Sequence, residues 1–148
     1  MAAVSETITL IVKETCNNPV YIRWKNIIGG WNYYLFDCRQ LKGLSVDSFE
    51  QYRENFTDLE NQNIVNNFYS KTSREQWQLL AENIETYELE LLQGVPISPR
   101  VDLYTGDGST HTWQAVIVTA FSLINTTDKS RQSATITINL PEKFTLSN

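Results

Sequence analysis

The chain has 148 residues, of which 41% are hydrophobic and 20% are charged, so it has the size and composition of one folded domain, residues 1–148, and not those of a disordered chain. Its formal net charge is −5 at pH 7 and it has no run of Lys and Arg, which argues against a nucleic acid as a direct or sequence-specific ligand. No apolar stretch approaches the roughly 20 residues that cross a bilayer, so no membrane span is expected.

The N-terminal segment predicts a strand. Apolar and polar side chains alternate over residues 7–13, which is the period of a half-buried strand. Residues 1–6 lack a basic stretch followed by an apolar one, so no secretory signal is expected. The two cysteines, Cys16 and Cys38, are therefore expected to be unpaired thiols in a reducing compartment.

The most informative segment predicts a β-hairpin. Two alternating runs, residues 20–25 and 31–36, flank Gly29 and Gly30. Paired glycines suit a two-residue hairpin turn because glycine reaches positive φ at little cost.

This turn fixes which side chains of the hairpin share a face, and it pairs Trp24 with Leu35. The face predicted to enter the core carries Ile22, Trp24, Ile28, Trp31, Tyr33 and Leu35. The opposite face is predicted to carry Tyr21, Arg23, Lys25, Tyr34 and Phe36, and cation–π contacts are expected there.

Residues 39–70 predict a long polar arm or loop. The segment is polar with scattered aromatic side chains, and a structureless run of this length is unusual in a compact domain, so one or two short elements are expected within it. Two interpretations stay open: a surface excursion pinned by its aromatics, or an arm that reaches a neighbouring subunit.

Residues 73–93 also allow two interpretations. Apolar residues at helical spacing, with Ser73 and Gln76 as a capping box, predict a single helix. The alternation of Trp77, Leu79 and Ala81 instead predicts a strand that ends near Asn83, followed by a short helix near 86–94.

The C-terminal third predicts strands at residues 100–104, 113–118 and 134–140, separated by turn-rich segments. The apolar run at 113–118 predicts burial on both faces. The fold class is therefore mainly β (α+β): an antiparallel sheet or sandwich-like single domain with one short helix near 86–94.

Residues that carry chemistry are sparse, and the sequence predicts no catalytic, cofactor or metal site. The chain has one histidine, His111, and lacks the glycine-rich phosphate loops and the nucleophile elbow. The turn at 106–108 lacks the further acidic ligands of a calcium loop. The acidic cluster of Glu82, Glu85, Glu88 and Glu90 is interpreted as a solvated helix face, and the chain is not expected to be an enzyme.

Aromatic residues allow one sharper hypothesis, a flat platform on which a sugar ring stacks. The residues concerned are Trp31, Tyr33, Tyr34 and Trp113. The competing interpretation places Trp31, Tyr33 and Trp113 in the core, as the hairpin register implies.

The hairpin from Tyr21 to Phe36 resembles a segment of small virion proteins of tailed bacteriophages, including crAss-like phages. The later order is similar too: Trp77, a helix, residues 98–101, then Trp113 leading into residues 116–118. The resemblance favours the strand-then-helix interpretation of residues 73–93, and residues 39–70 have no counterpart in it.

The resemblance implies a structural subunit of the tail, neck, connector or baseplate, located in the virion and assembled in host cytoplasm. Its partners would be copies of itself in a sixfold or twelvefold ring, together with adjacent tail or neck proteins. The candidate subunit interface is Tyr21, Arg23, Lys25, Tyr34, Phe36, Phe49, Tyr52 and Phe56. The alternative function is a carbohydrate-binding adhesin module of a baseplate.

Overall fold

The computed structural model describes residues 18–48, 51–53, 66–106, 109–110, 112–127 and 132–146, with all side chains in these ranges except those of Cys38 and residues 51–53, 66–68 and 145–146. The strand predicted at residues 7–13, Cys16 and His111 lie outside the described residues.

Strands dominate the described chain, and they are accompanied by one short helix. In chain order the elements are β1 (Val20–Lys25), β2 (Trp31–Phe36), β3 (Cys38–Ser48), β4 (Gln51–Arg53), β5 (Asn66–Phe68), β6 (Ser70–Glu82), α1 (Thr86–Leu92), β7 (Val101–Tyr104), β8 (Trp113–Ile124), β9 (Ser133–Asn139) and β10 (Lys143–Leu146). The predicted fold class is confirmed: the protein is mainly β, antiparallel, with a short helix where one was expected.

The main sheet is antiparallel throughout and has the strand order β10-β6-β9-β8-β7-β1-β2, with β3 also paired to β6. Strand β8 belongs to both halves of the sheet, since residues 113–116 pair with β7 and residues 117–124 pair with β9. Strand β2 approaches β6, so the sheet curves round its own interior.

One apolar cluster fills this interior and draws on both halves of the sheet. Alternate residues of each strand point inward, as the two-residue period of a strand requires. Helix α1 and the segment after it add Leu89, Leu92 and Val95. The core residues that the strands supply are Val20, Ile22, Trp24, Tyr34, Phe36, Leu79, Ala81, Val101, Leu103, Val116, Ala134, Ile136 and Ile138.

The predicted hairpin forms, but its predicted register is wrong. Trp24 lies opposite Asn32 and not Leu35. The cause is the turn: Asn26 N–H donates to the Gly30 carbonyl at 2.9 Å, which makes a three-residue loop in which Gly29 has a φ of 94°. A three-residue loop that ends on a glycine in this region is a common hairpin connection.

The changed register reverses the second strand of the hairpin. An odd shift in pairing moves every side chain of a strand to the other face. Tyr34 and Phe36, predicted on the outside, are therefore buried in the core, whereas Trp31 and Tyr33, predicted in the core, lie outside. The faces of β1 were predicted correctly, with Ile22 and Trp24 inside.

Residues 73–93 form a strand followed by a helix, which confirms the second of the two interpretations. Strand β6 ends at Glu82, and Asn83 has a φ of 54°, which turns the chain out of the sheet. Ser73 does not cap a helix, because it lies inside this strand. The carboxylate of Glu88 accepts a hydrogen bond from the Glu85 N–H at 3.0 Å, so this buried carboxylate caps α1 and the acidic cluster is not uniformly solvated.

Residues 39–70 contain regular structure where a long polar arm or loop was predicted. Strand β3 pairs with β6 down to Ser48 opposite Lys71, and β4 pairs with β5 from Gln51 opposite Phe68. Both pairings have the same register. Strand β3 belongs to the main sheet, where β6 also pairs with β9 and β10, whereas β4 and β5 form a separate two-stranded sheet. We call β3, the part of β6 that pairs with it and the β4–β5 pair the ribbon.

Strand β8 is buried on one face only, which corrects the prediction for residues 113–118. Val116 points into the core, but Ile117 is 70% exposed. The apolar residues of this strand therefore lie partly on a buried inner face and partly on an exposed outer face, and the strand is not covered on both sides.

Candidate interaction surfaces

The outer face of β2, β1, β7 and β8 collects aromatic rings and cations, and we call it the aromatic–cationic face. The register places Arg23 between Tyr33 and Asp102, and Lys25 opposite Trp31. These side chains alternate with the core residues of the same strands, so the packing that buries Ile22 and Trp24 also positions the face. Its members are Tyr21, Arg23, Lys25, Trp31, Tyr33, Arg100, Asp102, Tyr104 and Trp113.

A buried carboxylate organises the cations of this face. The side chain of Asp102 is 0% exposed, and its two oxygens bind different guanidinium groups. Arg23 approaches Oδ2 at 2.9 Å and Arg100 approaches Oδ1 at 2.9 Å. Charge-assisted hydrogen bonds of this kind hold planar guanidinium groups in fixed orientations. Asp102 therefore fixes Arg23 and Arg100 against the aromatic rings.

Arg23 is sandwiched between two tryptophans. Its guanidinium carbon lies 4.2 Å from the ring centre of Trp31 and 4.2 Å from that of Trp113. Cations at this distance over an indole are attracted to its π-face. Lys25 and Arg100 approach the Trp31 ring at 5.6 and 5.8 Å.

The tyrosines of this face pack against Trp113 and against each other. Tyr21 and Tyr33 stack with ring centres 5.8 Å apart, and Tyr104 meets Trp113 edge-on at 5.2 Å. Burial raises the pKa of Tyr21 above 10.0, and the neighbouring Tyr33 hydroxyl raises this pKa further. The cluster therefore keeps Tyr21 as a neutral phenol.

These geometries bear on the sugar-platform hypothesis. The hypothesis correctly grouped Trp31, Tyr33 and Trp113 outside the core, but Tyr34 is buried. A stacked sugar needs a bare ring face, whereas guanidinium groups already cover faces of Trp31 and Trp113. Tyr33, at 44% exposure, presents the most accessible of these rings.

The ribbon is the second exposed surface, and its apolar side chains lie on both of its faces. Leu44 and Val46 point to the same side as the core residue Leu79, whereas Leu41 points to the opposite side, as does Phe144 of the adjoining β10. All four apolar side chains are more than half exposed. The ribbon therefore carries apolar surface that remains exposed beside the described part of the chain.

Ion pairs fasten β10 to the ribbon. Lys143 binds Glu75 at 3.1 Å, and Arg74 binds Glu142. The hydrogen bond and the positive charge of Lys143 hold the pKa of Glu75 below its usual value. These pairs are exposed, so each contributes little stability, and the backbone pairing with β6 places β10 against the ribbon.

The structure places the residues of the predicted subunit interface in different environments. Tyr21, Arg23 and Lys25 come together on the aromatic–cationic face, whereas Tyr34 and Phe36 are buried. Phe49 and Phe56 lie outside the described residues. Tyr52 lies on β4 of the ribbon, where only the backbone is described.

Sequence reasoning missed Arg100, Asp102 and Tyr104 as parts of a surface. Residues 100–104 were predicted to be a strand, but nothing in the sequence indicated that this strand pairs with β1. The alternation of charged and aromatic residues with apolar ones in 100–104 was the available signal, since it mirrors that of residues 20–25.

Within the described ranges, no group of three or more His, Cys, Asp or Glu side chains is placed to hold a metal ion. No helix in the same part of the chain has the length and apolar character that crossing a membrane requires.

Comparisons with known proteins give structural matches only. A scan against protein-family models finds no match, and neither does a search of curated proteins. Solved chains with a similar fold come from the tail of an empty gene transfer agent particle with C6 symmetry, from the virion of a native gene transfer agent particle, and from the sixfold-symmetrised baseplate of the anti-feeding prophage.

Each of these chains is 10% identical to this one, with TM-scores of 0.40, 0.38 and 0.41 respectively. The alignments cover 87%, 87% and 94% of this chain and 96%, 95% and 97% of those chains. A likeness of this size carries no argument about function, so the functional argument rests on the surfaces of the chain itself.

Proposed function

We propose that the protein is a structural subunit of a bacteriophage virion, a ring-forming component of the tail, neck or connector. It binds copies of itself and adjacent tail proteins, and its role is mechanical. The phage context comes from the resemblance of the hairpin and later segments to small virion proteins. The building-block role comes from the ribbon.

The ribbon is the observation that carries this proposal. Strand β10 pairs with β6 only as far as Ser70, and beyond it the described chain has two strands, β4 and β5. A two-stranded hairpin alone is at best marginally stable in water. The exposed apolar residues of the preceding strand β3, Leu44 among them, add a surface of the kind that marks protein contacts. A ribbon of this kind is stabilised when a neighbouring subunit covers it.

The aromatic–cationic face supports the same role. Trp, Tyr and Arg are the residues that dominate binding energy at protein interfaces. Here they are held by the sheet and by Asp102, so little conformational freedom is lost on binding. A subunit with two different exposed surfaces, the apolar residues of the ribbon and the aromatic–cationic face, suits head-to-tail contacts, which close into rings when the rotation allows it.

Electron microscopy of the purified protein tests this proposal directly. We expect closed rings or stacked rings at high protein concentration, and we expect the protein in purified virions. A protein that stays monomeric at every concentration and is absent from virions would contradict the proposal.

A pair of variants connects assembly to the ribbon. Leu44→Glu places a charge on the apolar ribbon surface without disturbing the core, so we expect a folded monomer that no longer assembles. Ser122→Glu is the matched control, since Ser122 is an exposed residue of β8 outside the ribbon. It adds the same charge and should leave assembly intact.

A carbohydrate-binding module of a baseplate is the second candidate, and the exposed ring of Tyr33 is the observation that favours it. Glycan-array binding that is lost in a folded Tyr33→Ala protein, in the absence of rings, would support this candidate over the first.

A further inference from the structure

We infer that the aromatic–cationic face of one copy binds the outer surface of helix α1 of a second copy. This outer surface consists of the exposed residues of α1 and of its two capping positions, and we call it the helix surface. Its members are Glu85, Thr86, Tyr87, Glu90 and Gln93. The inference rests on the proposed function, because it identifies a contact between the subunits of the assembly.

The aromatic–cationic face is electropositive on an acidic protein. It carries three cations, Arg23, Lys25 and Arg100, against the single carboxylate of Asp102. The whole chain has a net charge of −5. Such a face attracts an acidic partner and repels a basic one.

The helix surface has the opposite charge. It carries Glu85 and Glu90, and the sequence contains no Lys or Arg from residue 75 to residue 99. Tyr87, which is 49% exposed, adds an aromatic ring beside these acids. The helix surface therefore offers carboxylates to the cations of the face and a phenol ring to its aromatic rings.

Each surface has a charge that no ion pair neutralises within the described part of the chain. Lys25 lies 5.6 Å from the centre of the Trp31 ring and forms no ion pair with a described carboxylate, and Glu90 forms none with a described cation. Charges of opposite sign that lack a partner in their own molecule are available to a complementary surface of another molecule.

A cleft between the two surfaces adds apolar area to the contact. The cleft has a volume of about 500 Å³, and Lys25 lines it from β1 whereas Glu90 lines it from α1. Two further residues of its lining, Ile27 and Ile97, are 92% and 72% exposed. Exposed apolar side chains of this size mark protein contacts, and covering them is favourable.

The cleft also favours a second copy as the partner. Lys25 and Glu90 border the same cleft but do not pair with each other in one molecule, so their charges can be matched only from outside. Another copy supplies both charges at once, and in the proposed assembly it is always adjacent.

Charge reversal in the full chain tests the pairing. Lys25→Glu alters the face, and Glu90→Lys alters the helix surface. Each protein alone opposes like charges, so we expect self-association in light scattering or sedimentation to weaken by about tenfold or more. Raising the salt concentration should weaken the association of the wild-type protein as well.

Mixing the two variant proteins gives the decisive result. In a mixture the unaltered helix surface of the Lys25→Glu protein meets the unaltered face of the Glu90→Lys protein, and the two altered surfaces, whose charges are both reversed, also meet. We therefore expect an equimolar mixture to assemble nearly as well as the wild type. Failure of the mixture to assemble overturns the inference, because it excludes contact between the face and the helix surface of different copies.

Arg39→Glu is the control for net charge. Arg39 is an exposed residue at the bulge of β3, outside the face and the helix surface. It makes the same change of charge as Lys25→Glu and should leave assembly intact. Equal loss of assembly in this variant would overturn the inference, because it would trace the effect to net charge.

Cross-linking locates the contact. A photoreactive phenylalanine analogue replaces Tyr87 in isotope-labelled protein, which is mixed with unlabelled protein and irradiated. We expect labelled-to-unlabelled cross-links in peptides that contain Trp31, Tyr33 or Trp113. Cross-links confined to one copy, or to other surfaces, overturn the inference. Wild-type protein that never assembles contradicts the proposed function itself, whereas rings that persist in both charge variants contradict only this pairing.

Discussion

At the scale of single residues, Asp102 shows how this protein places a charge inside a polar surface. Its side chain is 0% exposed, and both carboxylate oxygens bind guanidinium groups. A buried charge is tolerated when it is paired and hydrogen-bonded, and removing one partner leaves the other charge uncompensated. Because Arg23 is itself only 20% exposed, the pair is more sensitive to mutation than a surface ion pair.

We predict that Asp102→Asn lowers the free energy of unfolding by about 2–3 kcal/mol, because an amide cannot neutralise Arg23 and Arg100. Urea unfolding followed by circular dichroism measures this loss. Glu75→Gln is the control, since it breaks the exposed pair with Lys143 and should cost less than about 1 kcal/mol. Equal stability of Asp102→Asn and the wild type would contradict the structural role.

Tyr21 gives a pH prediction. Burial and Tyr33 raise the pKa of Tyr21 above 10.0 in the folded state. The unfolded chain therefore ionises first, so the contribution of Tyr21 to stability is complete below pH 10 and is lost as the pH rises towards the folded pKa. We expect the wild type to lose more stability above pH 10 than Tyr21→Phe, measured by urea unfolding across this range. If the free energies of unfolding of the two proteins fell in parallel above pH 10, the prediction would be wrong.

The assignment of hairpin residues to the inner and outer faces of the sheet shows which features can be predicted from the sequence and which cannot. Val20, Ile22 and Trp24 were placed correctly because alternation within a strand is local. Tyr34 and Phe36 were placed on the wrong side because their face depends on the number of residues in the turn. A two-residue loop and a three-residue loop both suit Gly29, and only the hydrogen bonds of Asn26 distinguish them.

At the scale of elements, the hairpin turn determines the aromatic–cationic face. The Asn26 side-chain oxygen accepts hydrogen bonds from Ile28 N–H at 3.0 Å and from Gly30 N–H at 2.8 Å. These bonds favour the three-residue loop, and the register that follows sends Trp31 and Tyr33 to the outside.

We predict that Asn26→Ala lowers the free energy of unfolding by about 1 kcal/mol, because two backbone donors in the turn lose their acceptor. Asn26→Asp keeps an acceptor oxygen at the same place and should stay close to the wild type. Thermal and urea unfolding of the two variants checks this. An alanine variant as stable as the aspartate variant would show that the side chain does not hold the turn.

The other elements differ in how far the sequence predicted them. For residues 73–93 the sequence left two alternatives open, a single helix or a strand followed by a short helix. The alternation of Trp77, Leu79 and Ala81 correctly indicated the second, which is β6 and α1. The ribbon was not predicted, because residues 39–48 expose both faces and so lack the alternation that marks a half-buried strand. Pairing with β6, and not a pattern of burial, makes β3 a strand.

At the scale of the whole molecule, the two halves of the sheet depend on each other. Strand β8 pairs with β7 over one part of its length and with β9 over the other, so neither half has a complete set of strands without it. The buried residues of both halves form one cluster. Composition and length predicted a single domain, but pairing through a shared strand is a long-range property that a local pattern does not contain.

The shared core predicts cooperative unfolding. Ile22 lies on β1 in one half and Ile136 on β9 in the other, and both are 0% exposed. Replacing either with valine removes one buried methylene, so we expect each variant to lose about 1 kcal/mol of unfolding free energy. Because the core is one unit, tryptophan fluorescence and far-ultraviolet circular dichroism should report a single coincident transition in both variants. Two separate transitions, with Ile22→Val shifting only one of them, would show that the halves fold independently and that residues 1–148 are not a single domain.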